Sequence, residues 1–176
     1  MPDLAAIANE IAAQRLPPVE AWHPAHCGDS GMRIVADGTW FHEGTPIGRP
    51  ELVRLFSTIL RREADGGFVL VTPGEKLDIA VDDAPFVAVG VDSEGEGRNR
   101  TLAFRLNTGD HVLAGKNNPL RVDTAADGTP RPYLHVRRGL EALVNRATFY
   151  SLADWALAEA AEPPGLWSGG VFFSFA

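Results

Sequence analysis

The fold is decided by residues 27–62, which read CGDSGMRIVADGTWFHEGTPIGRPELVRLFSTILRR. Asp37-Gly38 lies between the strand-like runs 32–36 and 39–42, and this dipeptide is favoured in the tight turns of β-hairpins. Glu43-Gly44 supplies a second turn signal directly after the second run. The first half of this stretch therefore predicts a β-hairpin.

The second half of the stretch predicts an amphipathic helix. Pro50 fits the first turn of a helix, where its missing N–H would have no partner anyway. Arg61 and Arg62 suit the C-terminal end, because cations there complement the helix dipole. Apolar residues recur at helical spacing between these ends: Leu52, Leu55, Phe56, Ile59 and Leu60. We therefore expect one helix from Pro50 to about Arg62.

The residues before this stretch predict an N-terminal helix and an extended linker. Asp3 is a plausible N-cap, and Pro17-Pro18 stops the helix. The apolar positions again follow helical spacing: Leu4, Ile7, Ala8, Ile11 and Ala12. Residues 17–24 are then expected to be extended.

The middle of the chain is mostly predicted strand. Short apolar or alternating runs are separated by turn clusters rich in Gly, Pro and Asp. The runs cover 68–72, 77–81, 86–91, 102–106, 112–114 and 120–122. Because parallel pairs need long crossover connections, this close succession favours antiparallel meanders.

A second unit repeats the order of the first in the sequence pattern. Asp127-Gly128 predicts a turn, 133–136 a strand, and a helix is expected from about Arg137. Its apolar stripe would be Leu140, Leu143, Val144 and Ala147. The two helical stripes are offset by 88 residues and the two Asp-Gly-Thr turns by 90. Such self-similarity is typical of a duplicated unit, and chance remains an equal alternative.

After the second stripe, a capping-box pattern at Ser151 and Asp154 predicts a break in the helix before Trp155. The last residues end in a strand-like VFFSF. We predict an α+β fold with largely antiparallel sheets, an N-terminal helix and two similar strand-turn-helix units forming two small lobes. The expected divisions are 1–18 for the helix, 19–92 for the first lobe and 93–176 for the second.

Composition limits the classes of function. Of 176 residues, 45% are hydrophobic and 22% charged, as in ordinary soluble globular proteins. A net charge of −7 disfavours a general nucleic-acid binder, which needs a basic surface. One cysteine excludes an internal disulfide and fits a reducing compartment. With no apolar run long enough for a membrane span and no signal-peptide pattern, we expect a cytoplasmic protein without nucleic-acid or membrane partners.

The segment 22–29, WHPAHCGD, holds the greatest density of reactive side chains. His26, Cys27 and Asp29 could ligate a metal, or Cys27 could act as a nucleophile beside a histidine. No second element completes a recognised metal-ligand spacing, and no spacing selects a histidine for the thiol. The structural alternative is a loop in which Asp29 accepts amide hydrogens and Cys27 packs as a small apolar group.

Other polar groups suit binding rather than catalysis. Thr72, Glu75 and Lys76 surround the Pro73-Gly74 turn, and Tyr133, His135 and Arg137 share one side of a strand at a spacing of two. Further guanidinium groups, which suit carboxylate or phosphate recognition, include Arg33 and Arg105. The tryptophans are interpreted as core or lobe-interface anchors. No glycine-rich phosphate loop, nucleophile elbow or zincin helix is present.

The chain resembles the family of domain of unknown function 1285. The resemblance rests on MRIVADGTWFHEGTPIGRPELVRLFSTILRR, LVTPGEKLDIAVDDAPFVAV, RPYLHVRRGLEALVNRATFYSL and the final LWSGGVFFSF, in matching order over about 27–175. It implies a small bacterial protein with an α+β fold of repeated motifs and a role suggested in signal transduction or ligand sensing. Gly31 and Asn118 depart from the family pattern, where Asp and His are expected. The family brings no agreed catalytic residues.

Taken together, these observations predict a non-catalytic ligand-binding or regulatory module, acting in signal transduction through a groove between two similar lobes. We expect no cofactor and no catalytic residue, an unidentified small molecule or protein as partner, and leave homo-oligomerisation open. The predicted ligand-binding residues are Cys27, Asp29, Arg33, Trp40, Thr72, Glu75, Lys76, Arg105, Tyr133, His135 and Arg137. Two alternatives remain: a small metal- or thiol-dependent hydrolase centred on His26, Cys27 and Asp29, and a protein-interaction adaptor using an exposed strand edge or apolar patch.

Overall fold

Two six-stranded sheets form the body of the fold, which a computed structural model describes for residues 3–176. The first unit holds residues 15–85 and 138–140. The second unit holds residues 3–14, 86–137 and 141–176. Both sheets are largely antiparallel and helices accompany them, so the predicted α+β class with two similar units is confirmed.

The sheet of the first unit has the strand order β3-β2-β1-β6-β5-β4. The strands are β1 (Cys27–Ile34), β2 (Trp40–His42), β3 (Thr45–Pro46), β4 (Leu60–Arg62), β5 (Phe68–Val71) and β6 (Lys76–Val81). As predicted, Asp37-Gly38 turns β1 into the antiparallel β2. The central pair, β1 and β6, runs parallel, which the sequence pattern did not predict.

The sheet of the second unit has the order β10-β11-β12-β7-β8-β9. Its strands are β7 (Phe86–Glu94), β8 (Thr101–Leu106), β9 (His111–Leu113), β10 (Leu120–Thr124), β11 (Pro130–Arg137) and β12 (Leu140–Val144). Here too the central pair, β7 and β12, is parallel. A separate hairpin of β13 (Gly165–Ser168) and β14 (Val171–Ser174) ends the chain, as its strand-like tail predicted.

The two sheets share one topology. Each consists of two three-stranded meanders, and the first strand of the first meander pairs in parallel with the last strand of the second. The prediction that the two Asp-Gly-Thr turns occupy equivalent places in the two units is wrong. Asp37-Gly38 joins β1 to β2, the first two strands of its sheet in chain order. Asp127-Gly128 joins β10 to β11, the fourth and fifth strands of the other sheet in chain order. The similarity therefore lies in strand order, not in the predicted offset.

Within residues 3–176, three α-helices accompany the sheets: α1 (Leu4–Ala13), α2 (Pro50–Thr58) and α3 (Arg146–Glu159). Asp3 caps α1, its carboxylate accepting from the Ala5 amide at 2.9 Å, as predicted. Helix α2 begins at Pro50 as expected but ends at Thr58.

The prediction that Arg61 and Arg62 end α2 is wrong, because both belong to β4. The partly buried Arg61 donates from Nη1 to the carbonyl oxygens of Val19 and Trp22, each at 2.7 Å. These bonds tie the 3₁₀ turn Val19–Ala21 to the sheet. Leu55 of the predicted apolar stripe is 60% exposed, so α2 does not bury that whole stripe.

The prediction of a helix from about Arg137 is also wrong. Leu140, Ala142 and Val144 are buried at alternate positions of the strand β12. Arg138 and Gly139 adopt positive φ values of 51° and 78°, which form the turn into that strand.

Helix α3 begins later, after the cap residue Asn145, whose Oδ1 accepts from the Thr148 amide at 2.9 Å. Ser151 and Asp154 lie inside α3, so the predicted helix break at this pair does not occur.

Buried aliphatic and aromatic side chains fill each unit. Trp40 and Ile34 are among the largest fully buried residues of the first unit, and Phe86, Phe104 and Leu152 of the second. Within residues 3–176, no helix is both long and apolar enough to cross a membrane.

Candidate functional site

Three of the predicted site residues in the first unit lie at the shared starting edge of two parallel strands. Cys27 begins β1 directly beside Lys76, which begins β6. Glu75 lies next to them, with its Oε2 4.0 Å from Nε2 of His26. Lys76 Nζ lies 3.5 Å from Oε1 of Glu63. This edge therefore collects exposed and partly exposed polar side chains that lie close to one another.

The other predicted residues of the first unit serve separate local contacts. Asp29 accepts from the Gly31 amide at 2.8 Å, and Thr72 Oγ1 accepts from the Gly74 amide at 3.3 Å. Arg33 pairs with Asp82 at 2.7 Å near the far end of β1. Trp40 is buried, and its ring stacks on Phe56 with 6.4 Å between centroids.

In the second unit, Arg105 lies on β8 and Tyr133, His135 and Arg137 lie on β11. Strands β7 and β12 separate them, so these backbones are roughly 14 Å apart at the usual strand spacing. Tyr133 is buried, and its hydroxyl accepts from Arg131 Nε at 3.1 Å. Arg137 lies over the Phe86 ring at 5.2 Å. The structure therefore does not bring Arg105 together with the β11 group.

The two departures from the family pattern have structural roles. Gly31 adopts φ +68°, where the pairing register of β1 shifts between Asp29 and Met32. Asn118 donates from Nδ2 to the carbonyl oxygens of His135 and Val136, at 3.1 and 2.9 Å.

The segment around Cys27 has no cluster of candidate metal ligands in the described part of the chain. Across residues 3–176, no three His, Cys, Asp or Glu side chains gather closely enough to hold a metal ion. The exposed Cys27 thiol lies 3.8 Å from the carbonyl oxygen of Ala25.

A different group of residues lines a cleft of about 590 Å³ in the second unit. Its lining includes two indole rings, two guanidinium groups and two carboxylates: Trp155, Trp167, Arg98, Arg100, Glu96 and Glu159. We call it the Trp–Arg cleft. Its volume lies within the range of roughly 300–1,000 Å³ that is typical of small-molecule sites.

Local sequence explains how these residues meet. Arg98 is the middle residue of the 3₁₀ turn Gly97–Asn99 in the loop between β7 and β8, and Arg100 is its C-cap. Gly95 opens that loop with φ +80°, and a Cβ there would lie 2.4 Å from the Asn99 carbonyl oxygen. Only glycine therefore fits this bend without displacing the loop.

The opposite wall comes from α3 and β13. Trp155 and Glu159 are one helical turn apart on α3, which directs both side chains to one face. Trp167 lies on β13, beside the same loop.

Arg100 is the buried charge of the cleft. It is only 7% exposed, and it donates to Ser93 Oγ and to Glu159. Its Nε is buried and has no hydrogen-bond partner among residues 3–176. The hydrogen bond from Arg100 lowers the pKa of Glu159, although burial opposes that shift. Glu159 also accepts from the Gly97 amide at 3.2 Å, so the loop and helix share one polar network.

Arg98 is the exposed cation of the cleft in the described part of the chain. Its Cζ lies 4.7 Å from the ring centroid of Trp167, within the distance of a cation–π interaction. It forms no ion pair within the described residues. The Trp–Arg cleft therefore offers hydrogen-bond donors beside flat apolar surfaces.

Sequence reasoning missed this cleft. Trp155 and Trp167 were interpreted as core or lobe-interface anchors, yet both are partly exposed, whereas Trp40 is the fully buried tryptophan. Two signals were available: a pair of arginines at 98 and 100 in a glycine-containing turn, and Trp155 four residues before Glu159. Neither signal shows by itself that the elements meet.

The two sheets share one strand order, which defines a two-unit α+β protein. Its second unit contains a cleft of small-molecule size, which is the candidate binding site. The chain belongs to the DUF1285 family. The model of its N-terminal domain, described as a domain of unknown function, matches residues 17–84. The model of its C-terminal domain, described as part of a protein of unknown function, matches residues 85–175.

Two solved structures of the same family are similar to this chain. A DUF1285 family protein from Silicibacter pomeroyi DSS-3 is 50% identical, with a TM-score of 0.84 over 99% of this chain and 94% of that chain. One from Shewanella baltica OS155 is 27% identical, with a TM-score of 0.52 over 70% of this chain and 90% of that chain. No curated protein matches the chain.

Proposed function

We propose that this chain is a non-catalytic ligand-binding module whose binding site is the Trp–Arg cleft. The observation that carries the proposal is the buried guanidinium of Arg100, which lines a cleft of small-molecule size while its Nε lacks an acceptor. A buried polar atom without a hydrogen-bond partner is rare in native proteins and calls for an explanation, and Arg100 carries such an atom at the wall of a cleft.

The side chains that line the cleft suit binding better than chemical catalysis. Tryptophan and arginine are the residues most enriched at energetically important binding positions. The Trp–Arg cleft combines two of each with a carboxylate whose lowered pKa keeps it ionised at neutral pH. A general acid or base would need a pKa near the working pH instead.

A regulatory role requires that binding affect another part of the unit. Ser93 accepts a hydrogen bond from Arg100 and also lines a second slot, of about 290 Å³, against α1. A ligand that repositions Arg100 would therefore act on a residue in contact with the surroundings of α1. This contact supports a sensor in which occupancy of the cleft changes the packing of the N-terminal helix.

The test is a thermal-shift screen with planar carboxylates, planar amines and neutral heteroaromatic compounds. A ligand at 100 times its dissociation constant stabilises a protein by roughly 2.7 kcal/mol, which such a screen detects. Ala158→Trp adds bulk to the lining of the cleft from an exposed position, and Ala147→Trp places the same bulk elsewhere on α3.

We expect compounds that raise the melting temperature of the wild-type protein and of Ala147→Trp but not of Ala158→Trp. Equal stabilisation of Ala158→Trp would place the binding elsewhere and contradict the proposal. A screen in which no compound stabilises the wild-type protein would also contradict it.

A further inference from the structure

The charges of the Trp–Arg cleft narrow the ligand to one chemical class, an inference that rests on the proposed binding function. Arg98 and Arg100 are balanced at neutral pH by Glu96 and Glu159, which line the same cleft. Arg100 is already paired with Glu159, so Arg98 is the cation available to a ligand. Over the described residues, the cleft therefore has one cation outside an ion pair, Arg98, and one such carboxylate, Glu96.

A cationic ligand does not fit this arrangement. Indole faces attract cations, but guanidinium groups already lie over both rings, Arg98 over Trp167 and Arg100 over Trp155, at 4.7 and 5.7 Å. An added ammonium group would meet two like charges at close range.

A doubly charged anion does not fit either. A phosphate monoester carries nearly two negative charges at neutral pH, and it would lie near the carboxylates of Glu96 and Glu159. Only one of these charges would be balanced by Arg98. A single carboxylate on Arg98 brings about half as much negative charge near the same two carboxylates.

The stacking of Arg98 leaves its donors usable. The five N–H groups of a guanidinium lie in its own plane, so a ring packed on its face does not block the fork that binds a carboxylate. Trp155, Ala158 and Trp167 supply an apolar lining for a flat ring.

We infer that the Trp–Arg cleft binds a planar monocarboxylate, with its carboxylate on the guanidinium of Arg98 and its ring against the indole-lined wall. This is a statement of ligand chemistry: a flat, largely apolar ring system bearing one carboxylic acid.

The experiment compares four probes of one ring shape by isothermal titration calorimetry: 2-naphthoate, 2-naphthamide, 2-naphthylmethylammonium and 2-naphthyl phosphate. We expect 2-naphthoate to bind roughly tenfold or more tightly than the other three, because a charge-assisted bond to arginine is about twice as strong as a neutral one. In Arg98→Gln this preference should vanish. Arg98→Lys, which keeps the charge without the fork, should retain part of it.

The inference is overturned if the amide, the ammonium or the phosphate probe binds as tightly as 2-naphthoate, or if the preference survives in Arg98→Gln. Either result is distinguishable from failure of the proposed function. If a neutral or cationic probe binds the wild-type protein but not Ala158→Trp, the cleft remains the binding site and only the ligand class is rejected. Binding that Ala158→Trp leaves intact would reject the site itself.

Discussion

The guanidinium of Arg100 lies over the indole of Trp155, with its Cζ 5.7 Å from the ring centroid, and donates to Glu159 one helical turn further along α3. One buried cation from the β7–β8 loop is therefore held by two side chains of the same helix face. This contact fixes the loop that carries Arg98 against α3, and it builds the cleft in which we propose that a ligand binds.

Removing the charge of Glu159 should destabilise the protein. Glu159→Gln leaves Arg100 buried without an anionic partner, and breaking a fully buried pair costs about 3–5 kcal/mol. The Glu159 side chain is 23% exposed, so we expect a smaller loss of about 2 kcal/mol in the free energy of unfolding. Urea denaturation measures it. Arg98→Gln, which removes an exposed cation–π contact but no ion pair, should cost at most about 1 kcal/mol. Equal losses in the two variants would contradict this role for the pair.

The same carboxylate should make stability depend on pH. Arg100 lowers the pKa of Glu159 in the folded protein below its ordinary value of 4.5. Because the folded pKa is the lower one, the stabilisation is complete above about that ordinary value and is lost as the pH falls through the folded pKa. The difference in unfolding free energy between the wild-type protein and Glu159→Gln should therefore be largest near neutral pH and shrink below pH 4. A difference that stays constant on acidification would contradict the assigned contact.

Two glycines of the cleft loop should differ in their tolerance of alanine. At Gly95 a Cβ would lie 2.4 Å from a backbone oxygen, at φ +80°. At Gly97 the backbone is also left-handed, with φ +53°, but the space is open. We expect Gly97→Ala to cost roughly 1–2 kcal/mol from backbone strain alone, and Gly95→Ala to cost more, since the loop must also move. Thermal or chemical denaturation compares the pair, and a Gly95→Ala variant as stable as Gly97→Ala would show that the loop bends differently.

The thiol should be dispensable for binding. Cys27 is exposed and belongs to the first unit, whereas all residues of the Trp–Arg cleft belong to the second. We therefore expect a disulfide reagent to modify Cys27 in the folded protein, and Cys27→Ser to bind 2-naphthoate with unchanged affinity. Loss of binding in Cys27→Ser would favour the thiol-centred alternative over the present proposal.

Local signals predicted much of the fold. The turn at Asp37-Gly38, the helix start at Pro50 and the cap at Asp3 each depend on a few adjacent residues, and each was confirmed. The wrong helix at 140–147 arose because LEALV followed by NRA fits both periods. Residues 140–144 form a strand because Gly139 turns the chain into β12, and α3 begins only after the cap residue Asn145.

Long-range pairing could not be predicted in the same way. The parallel pairs β1–β6 and β7–β12 join strands more than 40 residues apart, and no local pattern encodes them. The Trp–Arg cleft has the same origin, because Arg100 meets Glu159 only after α3 has packed on β7. The buried Ser168 likewise accepts from the Leu102 amide at 2.9 Å across 66 positions. The ligand-binding residues predicted from sequence spacing therefore lie in both units, and none of them lines this cleft.

The most direct test of the central claim is a titration of ¹⁵N-tryptophan-labelled protein with 2-naphthoate, followed through the indole N–H signals. The chain has four tryptophans, and single Trp→Phe variants assign their signals. We predict that the signals of Trp155 and Trp167 shift together and saturate with one dissociation constant, while those of Trp22 and Trp40 in the first unit do not move. Shifts confined to Trp22 or Trp40, or no shift at millimolar 2-naphthoate, would contradict the account.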